Sequence, residues 1–273
     1  AGDGVDAVYL TTPPSSHFPV VAATYGNNVA KHIFSEKPLA NRYAQAQQML
    51  AMAEVVGGVH MTAFQKHFSL VAEKAVELLA QGVVGDIESF AGYAFSSDFA
   101  NATGGAQQSR LRGGVLRDLG CHAIDLTLWL MGAVEVGEVG RRIDGATSSD
   151  DSYVTNVTTA NGVKGTISIS SSMADYRLPQ IGLHVQGSRG LLKLDEDKLE
   201  LHLPGEQPRV WIKQNFDDAT PFLLAEPEYY RESAAFIDAV RTGNTAGLPT
   251  FAAGAAVEKI IDDINQRTSS NGR

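Results

Sequence analysis

The sequence predicts an α/β protein in which a parallel sheet covered by helices precedes an α+β domain with a mostly antiparallel, open sheet. Up to about residue 82, short apolar strands alternate with helices of ten or more residues, which is the rhythm of a doubly wound parallel sheet. From Asp86 onward, candidate strands follow one another closely with few helices between them. We therefore expect a first domain at residues 1–84 and a second at residues 85–273.

The first domain contains three strand–helix pairs, each bounded by Gly, Pro or Asn. The predicted strands are 5–12, 32–37 and 59–64, and the predicted helices are 17–28, 41–53 and 69–80. Ser16 and Asn41 are candidate N-caps, and Gly57 is a candidate for closing the second helix.

The second domain contains more strands than helices. The predicted strands are 86–95, 150–160, 163–172, 181–187, 191–194, 198–203 and 209–214, and the predicted helices are 115–131, 228–241 and 251–267. Asn161-Gly162 is typical of a hairpin turn between two of these strands. The polar segment 96–112 is expected to be a loop over a site.

Net charge, cysteine count and the length of apolar runs limit the classes of partner and the compartment that fit this chain. The 273 residues carry a net charge of −9 with no basic cluster, which argues against nucleic acid and anionic membranes as partners. The single cysteine, Cys121, excludes a disulfide framework and favours a reducing compartment, here the cytoplasm. No apolar run approaches the roughly 20 residues of a membrane span.

Two strand ends carry polar residues at the edge where doubly wound sheets bind ligands. Thr11-Thr12-Pro13 ends the first strand, and hydroxyl and amide groups there can bind a ribose or a phosphate; the alternative is a rigid turn. Glu36-Lys37-Pro38 ends the second strand, and Lys37 can donate to a substrate hydroxyl. The alternative for that segment is a surface ion pair worth less than about 1 kcal/mol.

A third group lies on the helix at 115–131. Asp118, His122 and Asp125 are spaced i, i+4 and i+7, and Trp129 continues the same face. A carboxylate one turn away raises the basicity of an imidazole, so this spacing predicts a general base; the alternative is a core histidine with satisfied hydrogen bonds. Cys121 points away from His122 and is not expected to be a nucleophile, and no metal-ligand spacing occurs.

Together these motifs resemble the Gfo/Idh/MocA oxidoreductases, the relatives of glucose–fructose oxidoreductase and inositol dehydrogenase. The resemblance rests on Thr12-Pro13-Pro14-x-x-His17, Glu36-Lys37-Pro38, and Gly113-Gly114 before Asp118-x-Gly120-x-His122-x-x-Asp125. It continues at Gly187-Ser188-Arg189-Gly190-Leu191 and around Phe236 to Gly243.

The resemblance implies a Rossmann domain that binds NAD or NADP, and hydride transfer between the nicotinamide and a carbinol carbon of a sugar, polyol or related small molecule. In that reading Lys37 contacts the reacting hydroxyl, His122 takes or gives its proton, and Asp118 lies beside them, either orienting them or binding the substrate. The residues expected along the cofactor are Thr11, Thr12, Pro13, His17, Glu36, Lys37, Pro38 and Gln65. The resemblance also implies a cis Lys37–Pro38 peptide and a homo-oligomer formed through the second sheet.

Two departures from the family pattern bear on these expectations. Gly2-Asp3-Gly4-Val5-Asp6-Ala7 spells G-x-G-x-x-A but precedes a strand, so it cannot bring a helix N-terminus to a pyrophosphate. The family's first strand–loop–helix units, roughly 60 residues at about 30 residues per unit, are expected to be missing, and this polypeptide is expected to bind dinucleotide poorly. His67 stands where the family often has arginine.

Three alternatives stay open at this point. NAD cannot be distinguished from NADP, because the residue that meets the ribose 2′ position is not in the sequence. A non-catalytic nucleotide or sugar sensor of the same fold is a second function, and a chain with no activity of its own is a third.

Overall fold

A computed structural model describes residues 4–97, 113–142, 152–173, 175–216 and 227–270. Its first part is a parallel sheet of three strands in the order β1-β2-β3, as the sequence predicts. The strands are β1 (Ala7–Leu10), β2 (His32–Ser35) and β3 (His60–Thr62). The helices are α1 (Pro14–Gly26), α2 (Tyr43–Val56) and α3 (Leu70–Ala80).

Local chemistry sets the ends of these helices, and two of the expected caps are wrong. α1 begins at Pro14, and the Ser16 hydroxyl lies inside its first turn, donating to the Pro13 carbonyl at 2.8 Å instead of capping. Asn41 does not cap α2; the Tyr43 N–H instead donates to Asp262 Oδ2 at 2.9 Å, a carboxylate from the last helix. Gly57 closes α2 as expected, in the left-handed conformation at φ 69°.

The second part is an eight-stranded sheet, antiparallel throughout except where β4 and β7 pair in parallel. Its spatial order is β11-β10-β9-β8-β4-β7-β6-β5. The strands are β4 (Ile87–Phe95), β5 (Val134–Arg142), β6 (Ser152–Thr159), β7 (Lys164–Ser170), β8 (Gln180–Gly187), β9 (Gly190–Leu194), β10 (Lys198–His202) and β11 (Arg209–Ile212).

The sequence prediction of this sheet missed β5. A register shift between Val136 and Val139 interrupts the apolar–polar alternation that would otherwise mark that strand. The hairpin at Asn161-Gly162 is confirmed: β6 and β7 pair antiparallel, and Gly162 has φ 87°. The expected loop at 96–112 lies outside the described residues except for Ser96 and Ser97.

Three further helices cover the sheets: α4 (Cys121–Met131), which a π-helical turn at Leu116–Gly120 precedes, α5 (Pro227–Thr242) and α6 (Phe251–Ser270). The largest apolar core joins α3, α4 and α6 to the eight-stranded sheet. Phe236 of α5 and Phe251 of α6 instead pack into the cores of the parallel sheet. Both helices therefore return to the first sheet, and α6 packs against the second sheet as well.

None of the helices within the described residues combines the length and the apolar character that crossing a membrane requires.

Candidate functional site

The carboxyl ends of β1 and β2 lie side by side. The two strands pair in parallel up to Leu10 and Ser35, and the Glu36 N–H donates to the Leu10 carbonyl at 2.9 Å. Thr11, Thr12 and Pro13 are exposed at this edge, and the Lys37–Pro38 peptide next to them is cis. The edge thus brings together the two polar strand ends that the sequence singled out.

The imidazole of His17 contacts the backbone of both strand ends. Its side chain is 0% exposed, with Nδ1 3.0 Å from the Pro38 carbonyl oxygen and Nε2 2.8 Å from the Thr12 carbonyl oxygen. Both ring nitrogens therefore face backbone oxygens. The contacts of this histidine are with the scaffold of the edge, and it shapes the surface on which the exposed Thr12 and Pro13 lie.

Lys37 reaches from this edge to the turn before α4. Its Nζ donates to the Asp118 carbonyl oxygen at 2.6 Å and lies 3.7 Å from Asp118 Oδ1. The turn approaches because Gly120 leaves room: a Cβ there would come within 2.7 Å of the Ile169 side chain on β7. Lys37 and Asp118, which are 81 residues apart, therefore form one unit of the site.

His122 lies beside this unit on the first turn of α4, and its charge state differs from the expectation. Its imidazole is buried, and Nδ1 has no hydrogen-bond partner among the described residues. Burial, followed by the positive charges of Lys37 and Lys66, holds the pKa of His122 well below its ordinary value. The expectation that a neighbouring carboxylate raises its basicity is wrong, because desolvation and two ammonium groups dominate. His122 is a neutral imidazole, able to accept a proton.

Asp125 serves a different partner from the one expected. Its carboxylate oxygens lie 3.1 and 3.2 Å from Nε2 of His67, and the His67 ring stacks on Trp129 at a centroid distance of 4.0 Å. Burial raises the pKa of Asp125, and His67 opposes that rise. The residue at the family's arginine position thus contacts a buried carboxyl group, and neither residue lines the cavity described next.

Lys37, Asp118 and His122 line one cavity of about 380 Å³, between the edge of the parallel sheet and the eight-stranded sheet. Glu36 and Gln65 also line it, whereas Thr11, Thr12, Pro13, His17 and Pro38 lie outside its wall. The other lining residues are Ala63, Lys66, Ser96, Val115, Leu119, Ser171, Leu178, Pro179, Gln180, Ile181, Glu196, Asp197, Tyr229 and Glu232.

Several of these wall residues were not anticipated from the sequence. Lys66, buried, forms a short ion pair with Glu196, and Lys213 bridges Glu196 at 4.0 Å and Glu228 at 2.9 Å. These charges come from separate turns and helices that only the fold assembles. Sequence spacing gives no signal for such a network.

Glu232 was also missed, although a signal existed. It is 2% exposed, lines the cavity, and its Oε1 has no hydrogen-bond partner within the described part of the chain. Burial, then the carboxylates of Glu36 and Asp125, raise its pKa to about 8. Glu232 lies one turn before the fully buried Phe236 on α5, so a charged residue in register with an apolar stripe could have marked it.

Two further features bear on the chemistry of the site: the thiol of Cys121 and the arrangement of possible metal ligands. Cys121 is fully buried, and burial raises the pKa of its thiol to about 12, so it is not an activated nucleophile. No group of three or more His, Cys, Asp or Glu side chains within the described ranges is arranged to hold a metal ion.

The chain resembles known proteins in sequence and in fold. Residues 1–64 match the model of the "Oxidoreductase family, NAD-binding Rossmann fold", and residues 72–193 match the "GFO/IDH/MocA C-terminal domain". The chain is 28% identical over 240 residues to mouse trans-1,2-dihydrobenzene-1,2-diol dehydrogenase, covering 84% of this chain and 68% of that protein. It is 25% identical to levoglucosan dehydrogenase of Pseudarthrobacter phenanthrenivorans, covering 74% of this chain and 59% of that protein.

Solved structures share the fold. A levoglucosan dehydrogenase in complex with NADH and levoglucosan superposes with a TM-score of 0.83 at 22% identity, over 98% of this chain and 79% of that one. An inositol dehydrogenase homolog from Azotobacter vinelandii in complex with NAD+ gives 0.84 at 20% identity, over 99% and 78%.

The two family models together cover about two thirds of the chain, and the protein belongs to the Gfo/Idh/MocA oxidoreductase family. The resemblance stated from the motifs is therefore confirmed, as is the α/β fold with its Rossmann-type sheet and larger mixed sheet. A nicotinamide dinucleotide is the cofactor of the Rossmann domain of this family. The chain spans only 54% of the length of a further relative, D-apiose dehydrogenase of Paraburkholderia graminis.

Proposed function

We propose that the protein catalyses, in this cavity, the reversible oxidation of a carbinol of a sugar, polyol or related molecule, with NAD or NADP as hydride acceptor. The observation that carries the proposal is the convergence of Lys37 and a neutral His122 on one cavity at the carboxyl edge of a parallel sheet. The names of the relatives support the substrate class: they include dehydrogenases of levoglucosan and of D-apiose.

In this proposal Lys37 binds the reacting oxygen. An ammonium has three donors, and Asp118 contacts Nζ with its carbonyl and its carboxylate, which leaves Lys37 aimed but able to donate to a substrate hydroxyl. The positive charge favours the alkoxide character that develops as the O–H bond breaks. Asp118 positions the ammonium group by holding it beside the turn that precedes α4.

His122 takes the proton from that oxygen. Burial and two nearby lysines keep the imidazole neutral, so it enters the reaction as a base. The proton of the substrate O–H passes to the imidazole. The carbon that bears this oxygen loses a hydride, and a C=O bond forms. When bound, the nicotinamide dinucleotide supplies the acceptor for that hydride.

The residues present fit the nicotinamide end of a dinucleotide. The exposed hydroxyls of Thr11 and Thr12 lie at the same sheet edge as Glu36 and Lys37, so one ligand can touch both strand ends. We propose that Thr11, Thr12, Pro13, Glu36 and Gln65 face the cofactor, and that His17 and Pro38 shape its surface.

Substitution of Lys37 tests the proposal in the natural gene product that contains this sequence. Reduction of NAD and NADP at 340 nm is measured with levoglucosan and myo-inositol as probes, for the wild type and for Lys37→Met. The matched control is Lys259→Met, an exposed lysine that pairs with Asp263; neither residue lines the cavity. We expect a loss of about 10²–10³-fold in kcat for Lys37→Met and none for Lys259→Met.

Two results would contradict the proposal. A Lys37→Met variant within about threefold of the wild type would remove Lys37 from the reaction. A wild-type protein that binds nucleotide or polyol but transfers no hydride to any probe would favour the sensor function.

A further inference from the structure

Glu232 is the one buried acid of the cavity wall that the hydride-transfer proposal does not use. It belongs to α5, and it lines the same cavity as Asp118. Its neighbour on the same helix face, Glu228, is also buried but pairs with Lys213 at 2.9 Å. Glu232 has no such cation: its Oε1 is buried and has no partner in the described parts of the chain. A buried polar atom left unpaired beside a cavity is costly unless a ligand satisfies it.

The groups that face Glu232 from other elements are acidic. Glu36 approaches from the end of β2, Asp125 from α4 and Tyr9 from β1, and Glu36 and Asp125 both disfavour a negative charge on Glu232. The remaining ionisable groups of the wall are Lys37, Lys66, Asp118, His122, Glu196, Asp197 and Tyr229. Of the two lysines, Lys37 is held by Asp118 and Lys66 by Glu196.

We propose that Glu232 is a specificity residue, whose carboxylic acid donates a hydrogen bond to a hydroxyl, ring or carbonyl oxygen of a neutral, polyhydroxylated ligand. A carboxylic acid that keeps its proton is a donor, whereas a carboxylate only accepts. Beside Glu36, this end of the cavity should reject a ligand that places its own carboxylate there. The inference rests on the proposed function and deepens it by naming the neutral class of substrate.

Ionisation of Glu232 supplies a readout that a merely structural role would not give. Because the pKa of Glu232 is raised to about 8, its donor is present at pH 7 and is mostly lost at pH 9. At one unit above the pKa about a tenth of the acid stays protonated, so binding should weaken about tenfold between pH 7 and pH 9. Glutamine donates from its amide and does not ionise, so Glu232→Gln should bind with an affinity that changes far less over this range.

The experiment measures dissociation constants of myo-inositol, D-glucose and D-glucuronate by calorimetry, with the natural gene product saturated with NAD. Glu232→Gln, Glu232→Leu and the control Glu228→Gln are compared at pH 7, 8 and 9. We expect neutral probes to bind the wild type and Glu232→Gln within about threefold of each other at pH 7, and Glu232→Leu about tenfold more weakly. D-glucuronate should bind the wild type at least tenfold more weakly than D-glucose.

The outcomes separate this inference from the proposed function. If hydride transfer and polyol binding occur but Glu232→Leu binds as the wild type does, or the wild type and Glu232→Gln share one pH profile, the specificity role is overturned and the function stands. If Glu228→Gln reproduces the loss seen with Glu232→Leu, the effect belongs to helix packing and the inference also fails. If no neutral probe binds the wild type, both are overturned.

Discussion

Replacement of His67 by Phe should expose the cost of the buried Asp125 carboxylate. The Asp125 side chain is 4% exposed, and His67 lies within hydrogen-bond distance of both its oxygens. Phenylalanine keeps the stacking on Trp129 but removes the donor. A hydrogen bond to a charged group is worth about 1.5–3 kcal/mol, and removing one partner of a buried pair costs about 3–5 kcal/mol. We expect His67→Phe to lower the free energy of unfolding by about 3 kcal/mol at pH 7.

A double-mutant cycle with Asp125→Leu isolates this interaction. Replacing both polar partners by apolar groups can be nearly neutral, so the double variant should recover about 2 kcal/mol relative to His67→Phe. Unfolding in urea, followed by circular dichroism on the 273-residue chain, gives the four free energies. The reasoning is refuted if His67→Phe costs less than about 1 kcal/mol, or if it costs the same in the Asp125→Leu background.

The pH dependence of the same variant provides an independent check. The folded-state pKa of Asp125 is already raised above its unfolded value, and loss of His67 raises it further. A raised carboxyl pKa contributes stability at low pH that disappears as the pH rises through the folded pKa. His67→Phe should therefore be less destabilised at pH 5 than at pH 8, and an equal loss at both would show that Asp125 does not carry the effect.

Two further predictions concern the scaffold. Asp262 caps α2 and accepts a hydrogen bond from Arg117 at 2.7 Å, so Asp262→Ala should lower the free energy of unfolding in urea by about 2 kcal/mol. The control Asp263→Ala breaks only an exposed pair on the same helix and should cost less than about 0.5 kcal/mol. Burial and the nearby His32 lower the pKa of His60 to about 4, so the folded state resists protonation of this histidine. The free energy of unfolding should therefore fall as the pH drops from about 6.5 toward 4, by about 1–2 kcal/mol at pH 5. The variant His60→Gln should lack that part of the loss.

The sequence was most informative where chemistry and chain position coincide. Short apolar strands followed by polar residues predicted that the ends of β1 and β2 would meet, because parallel strands align their carboxyl ends. The hydrophobic pattern also located the six α-helices of the described residues, but not the short 3-10 helices at Gln65–Phe68 and Lys213–Asn215. The interrupted alternation of β5 and the carboxylate that caps α2 from 219 residues away were not predictable, because a bulge hides the first and only tertiary folding creates the second.

The charge state of the site was the part that local spacing predicted wrongly. Asp118 and Asp125 are near His122 in sequence, but Asp118 contacts Lys37, and Asp125 contacts His67. What acts on the imidazole is burial, Lys37 and Lys66, two of which come from elements remote from α4. Sequence spacing assigned the wrong electrostatics to these residues, because a pKa depends on spatial neighbours and on solvent, which spacing does not specify.

His122 and Glu232 show how one cavity keeps both a base and an acid uncharged. Burial, followed by the charges of Lys37 and Lys66, lowers the pKa of His122, whereas burial, followed by the carboxylates of Glu36 and Asp125, raises the pKa of Glu232 to about 8. In both groups the neighbouring charges, Lys37 and Lys66 for His122 and Glu36 and Asp125 for Glu232, act in the same direction as burial, so a cavity lined by many ions contains two neutral hydrogen-bonding groups.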